Sequence, residues 1–315
     1  MKTYQKVLIG LVGIVFAFLL SVGIFVLTTA STARLDESKL RAPNRSVRMV
    51  ASDGTDISGL GGYVEYEEIP IDLVNAFVAV EDKRYWDHNG LDFRRMVGAT
   101  LANVKSRSVA QGASTITCQL VKNTQLDNSK TLTRKIKEAK MALEVEKEYS
   151  KEEIMEMYLN VIYFGQGLYG VGAAAQGFYG VKPAQLSLAQ CASIAATVVN
   201  PSKYSPRLSP DNNRTRRNLV LDLMRQQGYI DEESCLAAKD VPIELVDETP
   251  DPYRSYRTNA LQEAAQVTGI DAVHLIGGGY VIHTYCDPAL QRRADGLYRQ
   301  DLLSRALDGK TPDSM

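Results

Sequence analysis

Hydrophobic patterning divides the chain into segments of different kinds. Behind Lys2 and Lys6 an apolar run extends unbroken from Val7 to Thr28. A bilayer core about 30 Å thick takes about 20 helical residues to cross, so the run predicts a transmembrane helix over 7–28. A cleaved signal peptide is the competing reading, with Ser31-Thr32-Ala33 as a weak cleavage-site mimic, but its apolar core would be only about 7–15 residues long. Lysines ahead of the run put residues 1–6 in the cytoplasm and the rest of the chain on the outer face. Residues 29–46 are polar, mixed in charge and contain Pro43, which predicts a tether or a short juxtamembrane helix.

Beyond the tether the period changes. Val47 to Glu68 has β-type residues broken by Asp53-Gly54 and Gly61-Gly62, predicting a small hairpin. From Ile71 the spacing is helical, with Leu73, Phe77 and Val80 on one face and Val74 and Ala76 flanking it. Further helices are predicted over Gly90–Ala110 and Leu132–Glu148, separated by a Gly-Ser-Thr loop at Gly112–Thr117. Ser150 and Glu153 form a capping box ahead of a helix that buries Ile154, Met157 and Tyr158. An apolar helix follows over Pro183–Val199, ended by Asn200-Pro201, and an amphipathic one over Asn213–Gln227, stopped by Gly228. The result is a mainly helical domain from about Ile69 to Asp240. The tail differs: Gly277-Gly278-Gly279 leads into a strand at Tyr280–Tyr285 and a helix at Pro288–Arg305, the start of another module.

Composition removes several function classes. The 315 residues carry a formal net charge of −1, so no global basic field exists for nucleic acid and any anion site must be a local cluster. Cys118, Cys191, Cys235 and Cys286 are dispersed without a CxxC pair, which argues against structural zinc and reads as scattered buried thiols. Disulfides stay open for an exported domain, with no pairing deducible. His88, His274 and His283 are too far apart in sequence to suggest a metal site or triad. Gly165-Gln166-Gly167-Leu168-Tyr169-Gly170 matches a dinucleotide fingerprint, but a helical pattern precedes it and Gln190 stands where an acid is needed. These glycines read instead as a close-packed turn.

Three segments could carry chemistry. Glu81 and Asp82 end an apolar helix beside Tyr85 and Trp86; a carboxylate next to bulky apolar groups suits a general base, although the segment alone reads as a solvated helix end. Gly112 to Asn123 joins small residues, hydroxyls and Lys122 at a helix entrance, a place for an anionic oxygen or simply a Ser/Thr-capped start. Arg134 and Glu138 share a helix face near Lys135 and Lys137. They form either an ordinary surface pair worth well under ~1 kcal/mol or a diphosphate clamp with a carboxylate beside it.

Together these segments resemble glycosyltransferase family 51, the peptidoglycan glycosyltransferase domain of monofunctional transglycosylases and class A penicillin-binding proteins. The resemblance rests on Glu81 to Gly90, Gly112 to Asn123, Arg134-Lys135-Ile136-Lys137-Glu138, Lys151 to Asn160 and Tyr163 to Gly180, in the family's order. It implies a mainly α, lysozyme-like domain over 47–245 behind the membrane helix, with a small α+β linker segment over 246–315. It implies a single-pass protein of the bacterial plasma membrane that polymerises lipid II into glycan strands. Glu81 would be the base that deprotonates the acceptor hydroxyl and Glu138 the second catalytic glutamate. Lys122 and Arg134 would hold the diphosphate leaving group, and direct displacement would invert the anomeric centre. Asp82, His88, Ser114, Thr115, Gln119, Asn123 and Lys135 would complete the substrate contacts. A divalent metal ion such as magnesium, without an organic cofactor, would assist the diphosphate. Partners would be lipid II, the growing strand, membrane lipid and other cell-wall synthesis or division proteins.

Cys118 stands where the family usually has glutamine, and Trp86 where it has tyrosine or phenylalanine. The first departure puts donor affinity and oxidation sensitivity in question. The tail resembles the linker that precedes a transpeptidase, yet no set of Ser-x-x-Lys, Ser-x-Asn and Lys-Thr-Gly motifs follows, so the sequence reads as stopping before that domain. A lysozyme-like glycan hydrolase and a non-catalytic scaffold are the competing readings.

Overall fold

The computed structural model describes residues 3–37, 40, 47–59, 61–106, 114–126, 129, 131–247, 251–270, 275 and 280–307. The expectations placed on Pro43, Gly112-Ala113, Lys130, His274 and Gly277–Gly279 lie outside the described residues. Chain contacts define two units: Met1–Asp36 with Arg84–Ile154, and Glu37–Lys83 with Met155–Met315.

The first unit begins with α1, Thr3–Ser31. Its Leu11–Ser31 stretch is long and apolar enough to cross a membrane, and Val12, Phe16 and Leu19 are all more than half exposed. Below α1 the chain is fastened to this unit, with Lys140 Nζ donating to Ala33 O (2.8 Å) and the Asp36 N–H to Gln125 Oε1 (3.0 Å). The next helix in the chain, α2 (Ile71–Glu81), belongs to the second unit. In the first unit α3 runs Phe93–Ser106 and α4 Ile116–Gln125. The charged helix α5 occupies Leu132–Glu148, as its periodicity predicts. It turns Met141, Ala142 and Val145 inward, and Glu138 with them. The expected loop ends sooner than Thr117, because Thr115 is already an N-cap and accepts from Cys118 N.

Ser150 starts α6, Lys151–Val161. The predicted capping box is present: the Ser150 N–H donates to Glu153 Oε2 (2.7 Å) and the Glu153 N–H to Ser150 Oγ (3.2 Å). Ile154, Met157 and Tyr158 are buried as expected.

The core of the second unit is built by α2, by α7 and α8 (Gly170–Tyr179 and Leu188–Thr197), and by α9 and α10 (Pro201–Tyr204 and Pro210–Gln226). Phe77 is fully buried and meets Tyr158 and Phe164 edge to face at 5.9 and 6.4 Å. Burying such a side chain stabilises the fold by about 1.5–3 kcal/mol. Val80, expected on the same face, is only half-buried. The single helix expected over Pro183–Val199 is two pieces. A short turn at Pro183–Gln185 gives way to Ser187, whose side chain caps α8 in a box with Gln190. That local satisfaction of end groups restarts the helix. Asn213 on α10 then ties the layers together, donating to Tyr204 O (2.7 Å) and accepting from Ser193 Oγ (2.6 Å).

After α11 (Glu232–Asp240) and α12 (Arg254–Thr268), β2 (Val281–His283) and α13 (Pro288–Leu307) close the chain. The hairpin expected over Val47–Glu68 is corrected. A turn at Asp53-Gly54 exists, with a bridge between Val50 and Asp56, but β1 (Arg48–Val50) pairs in parallel with β2, Met49 opposite Ile282. Met49, Ala51, Ile57 and Cys286 form a small core there, covered by Tyr253, Tyr256 and Leu261. Residues from both ends of the unit thus build one α+β module.

Candidate active site

In the second unit, Glu81 is the last residue of α2 and Asp82 its C-cap, with the Asp82 N–H donating to Val78 O at 3.1 Å. Asp82 is fully buried and Glu81 half-buried. Two carboxylates thus stand at the negative end of a helix dipole, which opposes their charge by about 0.3–1 kcal/mol each. Behind them, burial first and then the charges of Glu81 and Asp82 raise the Tyr158 phenol well above its usual range, which keeps it neutral.

In the first unit Arg134, expected to hold the diphosphate, and Lys135 gather around one carboxylate. Glu138 is 2% exposed and accepts from Arg134 Nη1 (2.7 Å) and from Lys135 Nζ. Arg134 is 11% exposed, so this is not the ordinary surface pair of the bland reading. Arg134 Nε donates to Ser129 O, and the Arg134 N–H to Thr131 Oγ1 (3.2 Å), which fixes the guanidinium at the helix start. Lys135 Nζ also reaches Ser114 Oγ at 3.1 Å. Two cations around one carboxylate leave an excess positive charge beside the Ser114–Thr115 helix entrance.

Gly90 joins these pieces. Its carbonyl accepts from Thr115 Oγ1 (2.6 Å) and Cys118 Sγ (3.7 Å). Its φ is +86°, and a Cβ there would come within 2.7 Å of Ala142 O on α5. Glycine alone permits that approach. The Cys118 thiol is 5% exposed, and burial, its largest influence, pushes its pKa up. A buried neutral thiol is inert, which answers the oxidation question raised by the sequence.

The other expected residues are placed as follows. Trp86 packs on Tyr85 at 5.0 Å and is 39% exposed. Tyr85 in turn donates to Lys151 O (2.6 Å) and meets the ring of half-buried His88. Gln119 and Asn123 are half-buried on α4. Lys122 is exposed there and has no ion pair among the described residues. The cluster thus unites Ser114, Thr115, Arg134, Lys135 and Glu138, without direct contact to Lys122 or Asn123.

Among the described residues no three His, Cys, Asp or Glu side chains gather as a metal cage, and Glu138 is already enclosed by cations.

Sequence reasoning passed over one feature of the later motifs. Glu156 and Asn160, one turn apart on α6, hold the main chain of the segment before α2. Glu156 accepts from Tyr66 N (2.7 Å) and from the Tyr63 hydroxyl, while Asn160 exchanges bonds with Val64 N and O, both at 2.9 Å. The spacing of four was the available signal. The turn expected at Gly165–Gly170 is present. Leu168 N donates to Gly165 O (2.9 Å) across Gln166 and Gly167, with φ of 53° and 76°. Positive φ at both central residues marks a type I′ turn. Glutamine there costs about 1–2 kcal/mol relative to glycine.

A transglycosylase family model matches residues 57–225. Penicillin-binding protein 1A/1B of Bacillus subtilis is 36% identical over 291 residues, covering 88% of this chain and 31% of that protein. Penicillin-binding protein 1A of Aquifex aeolicus is 39% identical over 259 residues, covering 80% of this chain and 35% of its own length. Penicillin-binding protein 1A of Streptococcus oralis is 36% identical over 298 residues, covering 90% and 46%. The chain spans less than half the length of each of these relatives.

Proposed function

Because the chain belongs to the transglycosylase family, we propose that it is a peptidoglycan glycosyltransferase that polymerises lipid II into glycan strands. The observation that carries this reading is the Arg134–Glu138–Lys135 cluster beside Ser114. As the glycosidic bond to the lipid diphosphate breaks, negative charge grows on the leaving oxygen. Cations already held in place stabilise that charge more in the transition state than in the ground state. A glycan hydrolase has no diphosphate to stabilise.

The nucleophile is a neutral sugar hydroxyl, so a base is required, and Glu81 takes that role. Attack on the face opposite the diphosphate inverts the anomeric centre. Glu138 orients Arg134 and Lys135 while limiting how tightly they grip the departing diphosphate. Asp82, His88, Thr115, Gln119, Lys122 and Asn123 supply the further substrate contacts. Magnesium, where it takes part, accompanies the diphosphate. Helix α1 spans the bacterial plasma membrane with its N-terminus in the cytoplasm, keeping the enzyme in the plane of its lipid-linked substrates.

The test is polymerisation of purified lipid II by the wild type and by Glu81→Gln. Glycan from the wild type and none from the variant is expected, with a loss of about 10²–10⁴-fold or more for a general base. The melting temperature of the variant is measured alongside, so that loss of product is read from folded protein. Equal activity would move the base elsewhere, and no product from well-folded wild type would favour a scaffold.

A further inference from the structure

A buried ion pair in the first unit has no part in the chemistry assigned above. Glu146, in the last turn of α5, and Lys151, the first residue of α6, meet through both carboxylate oxygens at 2.8 and 2.7 Å. Their side chains are only 4% and 17% exposed. Each charge stands at a helix end whose dipole opposes it. A buried pair is also often no more stabilising than apolar residues of similar volume. Helix stability and burial therefore do not account for these two residue types, and their contacts do.

Those contacts run in two directions. Toward the Tyr85–Gly90 loop, Lys151 grips Tyr85 twice. Its carbonyl accepts from the Tyr85 hydroxyl at 2.6 Å, and its ammonium stands 4.5 Å from the centre of the Tyr85 ring. A cation over an aromatic face is held more strongly where water is excluded, and Tyr85 is fully buried. The Tyr85 ring in turn meets those of Trp86 at 5.0 Å and His88 at 6.3 Å. Toward α4, Glu146 Oε1 accepts from the hydroxyl of Thr117, which lies in the first turn of that helix between Thr115 and Gln119. Gly90 packs on the same side chain, since a Cβ there would stand 3.1 Å from Glu146 Cγ. One ion pair thus fastens both the loop and the start of α4.

We propose that Glu146 and Lys151 are a positioning pair for glycosyl transfer, fixing the Tyr85–Gly90 loop with His88 against the Thr115–Gln119 start of α4. The proposal rests on the polymerase reading, in which His88, Thr115 and Gln119 contact substrate. A hydrogen-bonded charge pair suits the task because its geometry has one optimum, whereas apolar packing tolerates sliding. A substrate contact misplaced by about 1 Å costs on the order of 10²-fold in rate.

Trp86 is the chain's single tryptophan, and its packing on Tyr85 makes its emission a report on the loop that is independent of activity. The full chain in detergent is compared with the double variant Glu146→Gln/Lys151→Met. That variant strands no charge, keeps an acceptor for Thr117 and lays an apolar side chain over Tyr85. Its melting temperature should stay within about 3 °C of the wild type. Its Trp86 emission should shift and be quenched more readily by acrylamide. For lipid II polymerisation kcat should fall about tenfold or more, with KM changed by less than about threefold. Lys151→Arg, whose guanidinium pairs with a carboxylate through two parallel bonds and stacks on aromatic faces, should recover most of the emission and the rate. Tyr85→Phe loses only the hydroxyl held by Lys151 O and should move both readouts in the same direction, which keeps the test in force if the double variant does not fold. Wild-type emission and quenching in the double variant and in Tyr85→Phe overturn the hold on the loop. Altered emission with kcat within about twofold of the wild type overturns the positioning role. A wild type that makes no glycan removes the polymerase reading, and the emission then decides the hold on the loop by itself.

Discussion

Replacing Arg134 and Glu138 by glutamine, singly and together, measures how far the α5 cluster differs from a surface ion pair. Exposed pairs four residues apart on a helix contribute about 0.3–0.5 kcal/mol. Here the carboxylate is 2% and the guanidinium 11% exposed, so solvent screens little. Removing one partner of a buried pair costs about 3–5 kcal/mol. Lys135 is 48% exposed and can turn to water, which places Glu138→Gln near the lower figure, about 3 kcal/mol. For a domain of this size that corresponds to a fall of about 6–12 °C in melting temperature. The double variant should lose little more, because each single change already strands the other group, giving a coupling of about 1–3 kcal/mol. Urea unfolding of the four proteins in one detergent supplies the cycle. Coupling under about 0.5 kcal/mol would refute the buried-pair reasoning. A companion variant, Arg134→Lys, keeps the charge but cannot reach Ser129 O and Glu138 together. It should lower kcat by about tenfold or more with a smaller effect on KM, the mark of an interaction tightened in the transition state.

Three further outcomes are expected. Gly61 has a φ of +83°, and a Cβ there would stand 2.3 Å from Ala173 N; Gly61→Ala should therefore lose about 2 kcal/mol or more in urea unfolding. All four cysteines are free and buried, so a thiol reagent should label the native chain slowly and all four after unfolding, with Cys118 no faster than the rest. Burial first, and Glu156 next, raise the Tyr63 phenol above its usual 10.0. The folded chain then holds that proton more tightly than the unfolded chain, so the associated stability is complete below pH 10 and declines as the pH climbs further. Tyr63→Phe should flatten part of that alkaline decline in a stability–pH series, and an unchanged slope would count against the assignment.

Local signals in the sequence carried the helices well. The bounds of α5 follow directly from its periodicity, and the capping box at Ser150 from four residues. The same logic, applied to Ser187 and Gln190, would have split the expected Pro183–Val199 helix, but an apolar run masked the four-residue motif. Partners far apart in the chain were not legible. Nothing near Arg48–Val50 announces a strand partner at Val281–His283, so the Asp53-Gly54 signal suggested a hairpin instead. The first helix of the tail, α12, buries none of its residues fully and so shows only a faint stripe. For the candidate site, residue types and order pointed to Arg134 and Glu138, but only burial separates a clamp from a surface pair. The inward-facing glutamate on an otherwise apolar stripe, beside Met141, Ala142 and Val145, was the available clue.

The pairing of β1 with β2 also bears on how the protein is made. Roughly 230 residues separate the two strands. At about 5–20 residues per second, a ribosome takes roughly 10–50 s to deliver the second after the first. Until that moment Met49 and Ile57 lack the Ile282 side chain that later packs on their core, while the intervening helices can already assemble from nearer contacts. Three residues are too short a strand to offer a long template for stray pairing. The module can close only once residue 283 has been made, so its closure reports that synthesis has passed that point.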